Sequence, residues 1–554
     1  MVCKAFKHLN VKALDICWMD PFKHDWLGAL MEANYVNMHS ISLRRVDLNV
    51  LFVEARSLAH FIKAQSTLFC LYINLRKPVD SEKVERQLET LFGNQLRVFV
   101  VFRHRSFFAV RFQLPSHRIP VAMDQASDRS EYKLNEDNEL RLEVGSEELI
   151  VELVEGLAEI FGTPLVVHKR YTLPPAFRCA IFTYKGALVE IVGRPESAYI
   201  ATQTPMVIYL NTHYALEQMR SNAIAGISAG DPKAHGPRVM IAGQTDVGKS
   251  TLCRLLLNYA VRFNHTPVYV DLDLGQGSVS LPGTVSALLV SKPSEVVEGF
   301  DKASTLAYPA GIINPTANEQ YYLHLIETLA ATINEKCATI PRINASGVVI
   351  NTCGFVKDAG YTALLHAAKN FKIDVVIVLE NERLVNNLTK DLPNFVKIVH
   401  EPKSGGVEPR QTTQRQKARH DVVKSYFYGT RHTIFHPFTI EISYGVPEEE
   451  QQLIIAKVGT EKLPDSCLPV GVVLEDHRTK VVKLQITSDL KNHVLAMMPP
   501  NAVIDQGLIS TPTVGFVVVT EVDTARKTFT ILSPQPQLPS RIALFTDVTY
   551  VDIA

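Results

Sequence analysis

The sequence lacks a net charge, because its 57 lysine and arginine residues balance its 57 aspartate and glutamate residues. Any surface that binds nucleic acid must therefore be a local patch. The eight cysteines include no C-x-x-C pair, which argues against a zinc site and a disulfide framework and favours a reducing compartment. No apolar run reaches the length of a membrane span, and the N-terminus lacks the layout of a signal peptide. We therefore expect no membrane association.

The composition is that of an ordinary globular protein. Of the 554 residues, 46% are hydrophobic and 21% are charged, which leaves ample material for packed cores. A chain of this length is expected to form roughly two to four domains. No fixed-period repeat is evident, so a solenoid or propeller is not predicted.

One stretch, residues 243–251, matches the complete phosphate-binding pattern G-x-x-x-x-G-K-[ST]. Glycines at both ends let such a loop curl so that its backbone N–H groups point at phosphate oxygens. Lys249 is at the position that reaches the β- and γ-phosphates, and Ser250 is at the position whose hydroxyl holds Mg²⁺. Residues 238–242 indicate a buried strand before the loop, and 250–262 an amphipathic helix after it. The sequence therefore predicts a nucleotide site.

The region around this loop predicts a parallel, doubly wound α/β sheet. Further buried strands are expected at 267–273, 347–351 and 374–379, separated by helical stretches. Alternating strands and helices are typical of this sheet type. Ligands of such sheets bind at the carboxyl ends of the strands. The polar residues that fall at those ends are Asp271, Asp273, Thr352 and Glu380.

Asp273 lies at the end of the predicted strand that follows the P-loop helix. In P-loop enzymes such an acid binds Mg²⁺ or its water, or takes the proton from an attacking hydroxyl. The alternative is a structural acid that caps the next turn. Asp271 precedes it by two residues, so both side chains can face the same side. Spacing alone does not separate their roles.

The segment 403–424 is basic, with six lysines and arginines against two acids. The spacing of Arg415 and Arg419 places them on one helix face, and Arg410 precedes them. Phosphoryl transfer needs positive charge at the oxygens of the transferring group, and a mobile arginine lid supplies it. The alternative is a solvated basic helix.

Two β-rich regions flank the P-loop region. Short alternating segments predict an N-terminal β-sandwich or small barrel of about 85 residues. From about residue 433 the pattern predicts a C-terminal β-rich domain with an α element around 489–498. The segments that carry the N-terminal prediction are 139–144, 148–153, 176–186 and 187–192.

Residues 1–118 carry no clear functional motif. A helix is expected at 81–92, and a hairpin is expected from 96–102 and 107–112. Arginines and phenylalanines interleave along this hairpin. They indicate either a platform for single-stranded RNA or a small α/β domain with a phenylalanine core and an arginine-rich solvent face.

Several motifs occur in register from about residue 130 to the C-terminus: Tyr209-Leu-Asn-Thr-His213, Gly243 to Thr251, Asp273-x-Gly-Gln-Gly277, Ile350-Asn-Thr-Cys-Gly354, Pro402-Lys-Ser-Gly-Gly406 and Tyr426-Phe-Tyr-Gly429. Together they resemble one family, the eukaryotic polynucleotide 5′-hydroxyl kinases that double as a subunit of the pre-mRNA cleavage complex. The resemblance implies an N-terminal β domain at 130–225, a P-loop kinase domain at 236–432 and a C-terminal β-rich domain at 433–554. Residues 1–118 are then an extension of unknown role.

The resemblance also implies ATP and Mg²⁺ as cofactors and RNA with a 5′-hydroxyl end as substrate. Asp273 would activate the hydroxyl and, with Ser250, hold Mg²⁺. Glu139 and Arg178 would contact the nucleotide from the β domain. The lid arginines would be Arg410, Arg415 and Arg419. The residues that would hold the triphosphate are Gly243, Asp246, Val247, Gly248, Lys249, Ser250 and Thr251.

Two departures from the family pattern fall where the RNA would bind. Phe355 stands where the family usually has a tryptophan that stacks on the terminal base, and phenylalanine offers less area. The loop that clasps the substrate usually reads Pro-Gly-(Ser/Thr)-Asn, whereas here it is Pro315-Thr-Ala-Asn318. The change removes backbone freedom and a hydroxyl. Phe355 and Asn318 remain the expected substrate-binding residues.

Two functions follow, and the first is an active RNA 5′-kinase. The second is an ATP-bound scaffold subunit of the 3′-end processing machinery with little or no turnover. A signalling GTPase is a third function with less support, because Glu380-Asn-Glu-Arg383 stands where the guanine-binding motif N-K-x-D would be. The resemblance implies scaffold subunits of the cleavage complex and the tRNA splicing endonuclease as partners, and the nucleus as location.

Overall fold

The computed structural model describes residues 129–431, 433–447, 451–460 and 477–552, together with the backbone of five earlier strands. The chain divides into two units, residues 1–126 and 127–554, which are described separately. Among the described residues, no helix is both long enough and apolar enough to cross a membrane.

The first unit contains a five-stranded sheet with the spatial order β1-β2-β3-β5-β4. The first three strands are parallel, and β5 runs antiparallel to both β3 and β4. The hairpin predicted from 96–102 and 107–112 is confirmed, whereas the helix predicted at 81–92 lies outside the described residues. The strands are β1 (Ala13–Cys17), β2 (Ser40–Val46), β3 (Leu68–Leu75), β4 (Arg97–His104) and β5 (Phe107–Gln113).

The second unit begins with a β-sandwich, as predicted. Its two sheets have the orders β10-β9-β12-β7-β14 and β11-β8-β13-β6, with alternate residues buried between them. The strands are β6 (Arg129–Leu134), β7 (Glu139–Val144), β8 (Leu149–Gly156), β9 (Glu159–Ile160), β10 (Thr163–Pro164), β11 (Arg170–Leu173), β12 (Arg178–Phe182), β13 (Ala187–Val192) and β14 (Pro195–Ala201). Helix α1 (Met206–Ser228) follows and packs against the P-loop helix.

The P-loop region forms a seven-stranded sheet with the order β18-β17-β16-β19-β15-β20-β21. Helices cover both faces, so the doubly wound prediction is confirmed. The strands are β15 (Arg238–Ala242), β16 (Val268–Asp271), β17 (Thr284–Leu289), β18 (Leu306–Pro309), β19 (Val348–Asn351), β20 (Val375–Leu379) and β21 (Lys397–Glu401). The helices are α2 (Lys249–Arg262), α3 (Glu319–Thr339), α4 (Pro341–Ser346), α5 (Ala359–Asn370), α6 (Glu382–Asp391) and α7 (Thr412–Tyr428).

Two details of this sheet differ from the prediction. Strands β17 and β18 are antiparallel to their neighbours, so the sheet is parallel except at one edge. The links from β16 to β17 and from β17 to β18 contain no crossover helix, because antiparallel neighbours can be joined without one. Strand β16 ends at Asp271, so Asp273 lies in the following loop and not on the strand.

The C-terminal region is a second seven-stranded sheet with the order β22-β27-β26-β25-β28-β23-β24. The α element predicted around 489–498 is wrong: a 3₁₀ turn at Ser488–Leu490 leads into a buried strand, because this short apolar run is a central strand of the sheet. The strands are β22 (Phe438–Ser443), β23 (Ile454–Val458), β24 (Val481–Lys483), β25 (His493–Met497), β26 (Gly515–Asp523), β27 (Thr528–Ser533) and β28 (Ile542–Thr549).

Candidate nucleotide and phosphoryl-transfer site

The phosphate loop lies between β15 and α2. Gly243 and Gly248 have φ values of 154° and 94°, a region that side chains disfavour. A Cβ at Gly243 would also lie 3.1 Å from the carbonyl oxygen of Leu379. No side chain caps the N-terminus of α2, so its first amides remain available as anion donors. The backbone geometry therefore fits a loop that binds phosphate.

Lys249 is the first residue of α2, and its side chain folds back over the loop. Its Nζ donates to the carbonyl oxygen of Gln244 at 2.8 Å, and the residue is only 6% exposed. Burial lowers the pKa of the Lys249 ammonium, while the charge of Asp273 opposes that shift. The cation is thus held at the mouth of the loop beside an acid.

The two acids that spacing could not separate have different surroundings. Asp271 is fully buried, and its carboxylate accepts hydrogen bonds from Asn351 Nδ2 (2.9 Å), the amide of Asp273 (3.1 Å), and the amide and hydroxyl of Ser278 (2.7 and 3.0 Å). Burial and the nearby charge of Asp273 raise the pKa of Asp271. Its four hydrogen bonds tie the ends of β16 and β19 to the loop that carries Asp273.

Asp273 keeps one oxygen for other partners. Its Oδ1 accepts from the amides of Gly275 and Gln276, each at 3.0 Å, and the residue is partly exposed. This is also the geometry of an acid that caps a turn, so both sequence-based roles are compatible with it. Its position beside Lys249 favours a role in phosphate chemistry.

The basic segment is a lid element over the P-loop. Arg415 and Arg419 lie on α7, whose N-terminus is closed by a capping box of Gln411 and Gln414. Arg410 precedes the helix and donates from its amide (2.9 Å) and Nε (3.1 Å) to Asp246. Arg415 donates from Nη2 to the same carboxylate at 2.6 Å.

Arg419 makes no ion pair with an acid among the described residues, and burial together with the charge of Arg415 lowers its pKa. The Nε of Arg415 is buried and has no hydrogen-bond partner in the described part of the chain. A buried guanidinium donor without a partner is costly unless an anion pairs with it. The lid therefore has guanidinium donors next to the P-loop that are free to bind an anion.

Glu139 and Arg178 lie on β7 and β12 of the sandwich, and both already have partners. Glu139 is buried and accepts from Arg141 (2.6 Å) and from Thr204 Oγ1 (2.8 Å). Arg178 pairs with Glu143 through Nε (2.6 Å) and lies 3.8 Å from Glu408. Glu139 therefore links β7 to the segment before α1, and Arg178 links β12 to β7 and to the lid segment.

Arg141 was missed by sequence reasoning. Its guanidinium lies against the glycine pair of the lid segment, since a Cβ at Gly405 would be 2.8 Å from Arg141 Nη1. The period-two alternation of Glu139, Arg141 and Glu143 along β7 was the signal that could have indicated it.

The expected RNA-binding residues lie on the loops next to this site. Phe355 follows β19 and is 37% exposed. The preceding Gly354 packs so closely against Thr245 of the P-loop that any side chain would collide. The clasp loop, Pro315–Asn318, begins with a 3₁₀ turn at Pro315–Ala317. Just before the clasp loop, the carbonyl oxygen of Ile313 would lie 3.2 Å from a Cβ placed on Gly275. The start of the clasp loop is therefore next to the loop that carries Asp273.

Asn318 uses both of its side-chain polar atoms within the protein. Its Oδ1 accepts from the amide of Tyr321 (3.2 Å) and caps α3, and its Nδ2 donates to the carbonyl of Arg478 (2.7 Å). In this geometry Asn318 fastens the clasp loop to the C-terminal region. Its role as a substrate ligand stays a prediction.

The residues present fit ATP and Mg²⁺. Two positive-φ glycines, the uncapped helix N-terminus and Lys249 suit a triphosphate, and the unpaired Arg415 Nε suits one of its oxygens. Ser250 and Asp273 are oxygen donors of the kind that Mg²⁺ prefers. Among the described residues there is no cluster of three or more histidines, cysteines or acids that would bind a metal without a nucleotide.

Comparison with known families gives three consecutive matches. They are the N-terminal beta-sandwich domain of polyadenylation factor at 133–223, the mRNA cleavage and polyadenylation factor CLP1 P-loop at 243–429, and the Pre-mRNA cleavage complex II protein Clp1 at 435–552. The chain belongs to the Clp1 family. The resemblance inferred from the motifs is thereby confirmed, as is the predicted fold class.

Named relatives of the Clp1 family cover most of the chain. The Protein CLP1 homolog of Brugia malayi is 49% identical over 423 residues, which are 76% of this chain and 96% of the relative. The Polyribonucleotide 5′-hydroxyl-kinase Clp1 of Homo sapiens is 44% identical over 435 residues, 78% of this chain and 99% of the relative. A solved Clp1p–Pcf11p complex shares the fold, with a TM-score of 0.65 and 21% identity over 78% of this chain and all of that one.

Proposed function

We propose that this chain is an ATP-dependent polynucleotide 5′-hydroxyl kinase that acts on RNA. The observation that carries the proposal is the convergence of the P-loop, Asp273 and the lid arginines at the carboxyl ends of β15 and β16 in the central sheet. The names of the Clp1 relatives, polyribonucleotide 5′-hydroxyl-kinases, support it. Phosphoryl transfer depends mostly on positioning and on charge stabilisation, and these residues supply both.

The roles follow from the positions of the side chains. The P-loop amides and Lys249 would hold the triphosphate, while Ser250 and Asp273 would hold Mg²⁺. When bound, the metal would supply positive charge that offsets the negative charge of the phosphates. Asp273 has one carboxylate oxygen outside its turn bonds and would accept the proton of the RNA 5′-hydroxyl as its oxygen attacks the γ-phosphorus. The bond from that phosphorus to ADP then breaks.

The lid arginines would act mainly on the transition state. Negative charge spreads over the equatorial oxygens as the phosphoryl group transfers, and guanidinium donors already in place stabilise that charge without reorganisation. Arg415 is suited to this role, because one of its donors is fixed by Asp246 and another is unpaired.

We further propose that the chain is a subunit of the pre-mRNA 3′-end cleavage and polyadenylation machinery in the nucleus, with scaffold subunits of that complex as partners. Two of the matched families are named for these complexes, and the solved relative was captured with Pcf11p. A tRNA splicing endonuclease is a second proposed partner, which rests on the resemblance alone.

The alternative is an ATP-bound scaffold with little turnover. Two observations favour it: the side chain of Asn318 is used internally, and Lys249 bonds to its own loop. In such a protein, bound ATP would stabilise the contact between the sandwich and the P-loop region without being turned over.

Transfer of labelled γ-phosphate from ATP to an RNA oligomer separates the two. A kinase labels an oligomer with a 5′-hydroxyl and leaves the matched oligomer with a 5′-phosphate unlabelled. A scaffold binds ATP with Mg²⁺ present and labels neither, across several RNA lengths. Asp273→Asn, which preserves the size of the side chain, is the matched variant and should lower labelling at least about 10²-fold.

A further inference from the structure

Asp246, a residue of the P-loop, ties the lid to the loop. Its backbone is in the left-handed region, with φ of 57°, and its carboxylate is only 6% exposed. Three donors from the lid converge on it: the amide and Nε of Arg410 and Nη2 of Arg415. One carboxylate thus holds two of the three lid arginines.

A carboxylate in a phosphate loop is unfavourable by itself, because it adds negative charge where a triphosphate would bind. Here that charge is neutralised by two guanidinium groups. Burial would raise the pKa of Asp246, but the hydrogen bonds from Arg410 and Arg415 outweigh it and lower the pKa below its ordinary value. The carboxylate therefore remains ionised and is committed to the lid.

Weaker contacts fasten the same segment elsewhere. Gln276, in the loop of Asp273, accepts from Arg410 Nη1 at 3.3 Å and donates to the carbonyl of Arg415 at 3.4 Å. The ion pair of Glu408 with Arg178 is 3.8 Å long, and both side chains are exposed to a third or more. Because Asp246 makes shorter, charge-assisted bonds from a buried position, it is the main polar attachment of residues 408–415 to the P-loop. The C-terminal half of α7 is held separately, by the buried Val423 and Phe427.

We propose that Asp246 is a positioning residue that closes the lid over the P-loop and aims Arg415, and that it does not hold the triphosphate. The proposal reassigns Asp246, which the family resemblance placed among the phosphate-binding residues. Its catalytic consequence rests on the proposed kinase function, but its structural consequence does not.

The structural consequence is measured by hydrogen exchange of residues 408–419, which include the first half of α7, without nucleotide. Asp246→Asn keeps the shape and removes the charge, and exchange in this segment should rise about tenfold, because the open state becomes more populated. The double variant Arg410→Gln/Arg415→Gln should raise it by a similar factor. Asp421→Asn is the matched control: it removes an exposed acid from the same helix, 3.9 Å from His420, and should leave exchange unchanged.

The catalytic consequence is a split between rate and affinity. With 5′-hydroxyl RNA, Asp246→Asn should lower kcat about tenfold or more and change the Kd of ATP less than about threefold. The retained affinity also reports that the variant is folded. Arg415→Gln should cost much less in the Asp246→Asn background than alone, because the two residues act as a unit.

Either of two results would overturn the proposal. The first is lid exchange in Asp246→Asn equal to that of the parent. The second is a loss of ATP affinity of about a hundredfold, which would make Asp246 a nucleotide ligand. If the parent showed no kinase activity, the proposed function would fail, while the exchange experiment would still decide the role of Asp246.

Discussion

The proposed phosphate-handling region and the proposed RNA-gripping region of this protein are built differently. The first comprises the P-loop, Asp273 and the lid arginines, and several of its charged side chains are held by hydrogen bonds within the protein: Lys249 by its own loop, and Arg410 and Arg415 by Asp246. The second comprises Phe355 and the clasp loop 315–318, a partly exposed ring and a short turn whose asparagine bonds to Tyr321 and Arg478. The proposed phosphate binding depends on backbone shape and charge, whereas the proposed RNA binding depends on a few side chains.

The comparison predicts the largest effect at Lys249. Lys249→Ala should reduce phosphoryl transfer below detection and weaken ATP binding, because the buried ammonium belongs to the phosphate loop itself and is fixed there by the Gln244 carbonyl. Transfer and ATP affinity are measured side by side. Lys369→Ala, at an exposed lysine in the last turn of α5, is the control and should behave as the parent. An unchanged transfer rate in Lys249→Ala would exclude the P-loop as the working site.

A smaller loss is expected at the lid. Arg415→Ala should lower kcat about 10²-fold and leave the Kd of ATP nearly unchanged, since its charge is needed mainly in the transition state. Arg419→Ala should show the same asymmetry. Equal losses in rate and affinity would mean that the lid binds the ground state instead.

Lowering the pH should weaken the packing of α1 against α2, the helix that follows the P-loop. His213 lies between α1 and α2 among Tyr214, Tyr259 and Phe263, with neither ring nitrogen bonded in the described structure. Burial and the charge of Arg220 lower the pKa of His213 from 6.5 to about 4. The unfolded chain therefore takes up this proton first, and stability that is complete above pH 6.5 is lost as the pH falls toward 4.

At pH 5.5 this loss amounts to about 1.4 kcal/mol of unfolding free energy. His213→Phe, which suits the aromatic surroundings, should remove that part of the pH dependence of Tm between pH 8 and 5. His400→Phe, at an exposed position on β21, should retain it. Equal pH slopes for His213→Phe and the parent would contradict a buried neutral histidine.

A modest gain is expected in the RNA-gripping region. Phe355→Trp should lower the KM for 5′-hydroxyl RNA about twofold to threefold without a change in kcat, because a larger ring stacks better on the terminal base. Phe395→Trp, at a 72% exposed phenylalanine outside this region, is the control. A change in kcat with constant KM would mean that Phe355 acts in the phosphoryl-transfer step and not in RNA binding.

The smallest effect is expected from residues 1–118, the predicted extension. Their removal should leave a soluble chain with an unchanged Kd for ATP, since the family matches begin at residue 133. A large drop in Tm with ATP present would mean that the extension belongs to the core fold.

Local sequence predicted the parts of the molecule that local physics determines. The P-loop, the buried parallel strands and the basic lid helix follow from residue types at fixed spacing, and all were found. The antiparallel edge of the central sheet and strand β25 were not predicted, because short apolar runs do not reveal their partners. The contacts of Asp246, Gln276 and Arg141 with the lid join residues more than 130 positions apart, which spacing cannot report.

The central claim is that the phosphate-handling region works as a catalyst although the RNA-gripping region departs from the family pattern. It is tested by the position of the label after incubation of the full chain with γ-labelled ATP, Mg²⁺ and 5′-hydroxyl RNA. We predict label in the 5′-phosphate of the first nucleotide, and at least about 10²-fold less with Asp273→Asn. A parent protein that binds ATP and leaves the RNA unlabelled would contradict the claim.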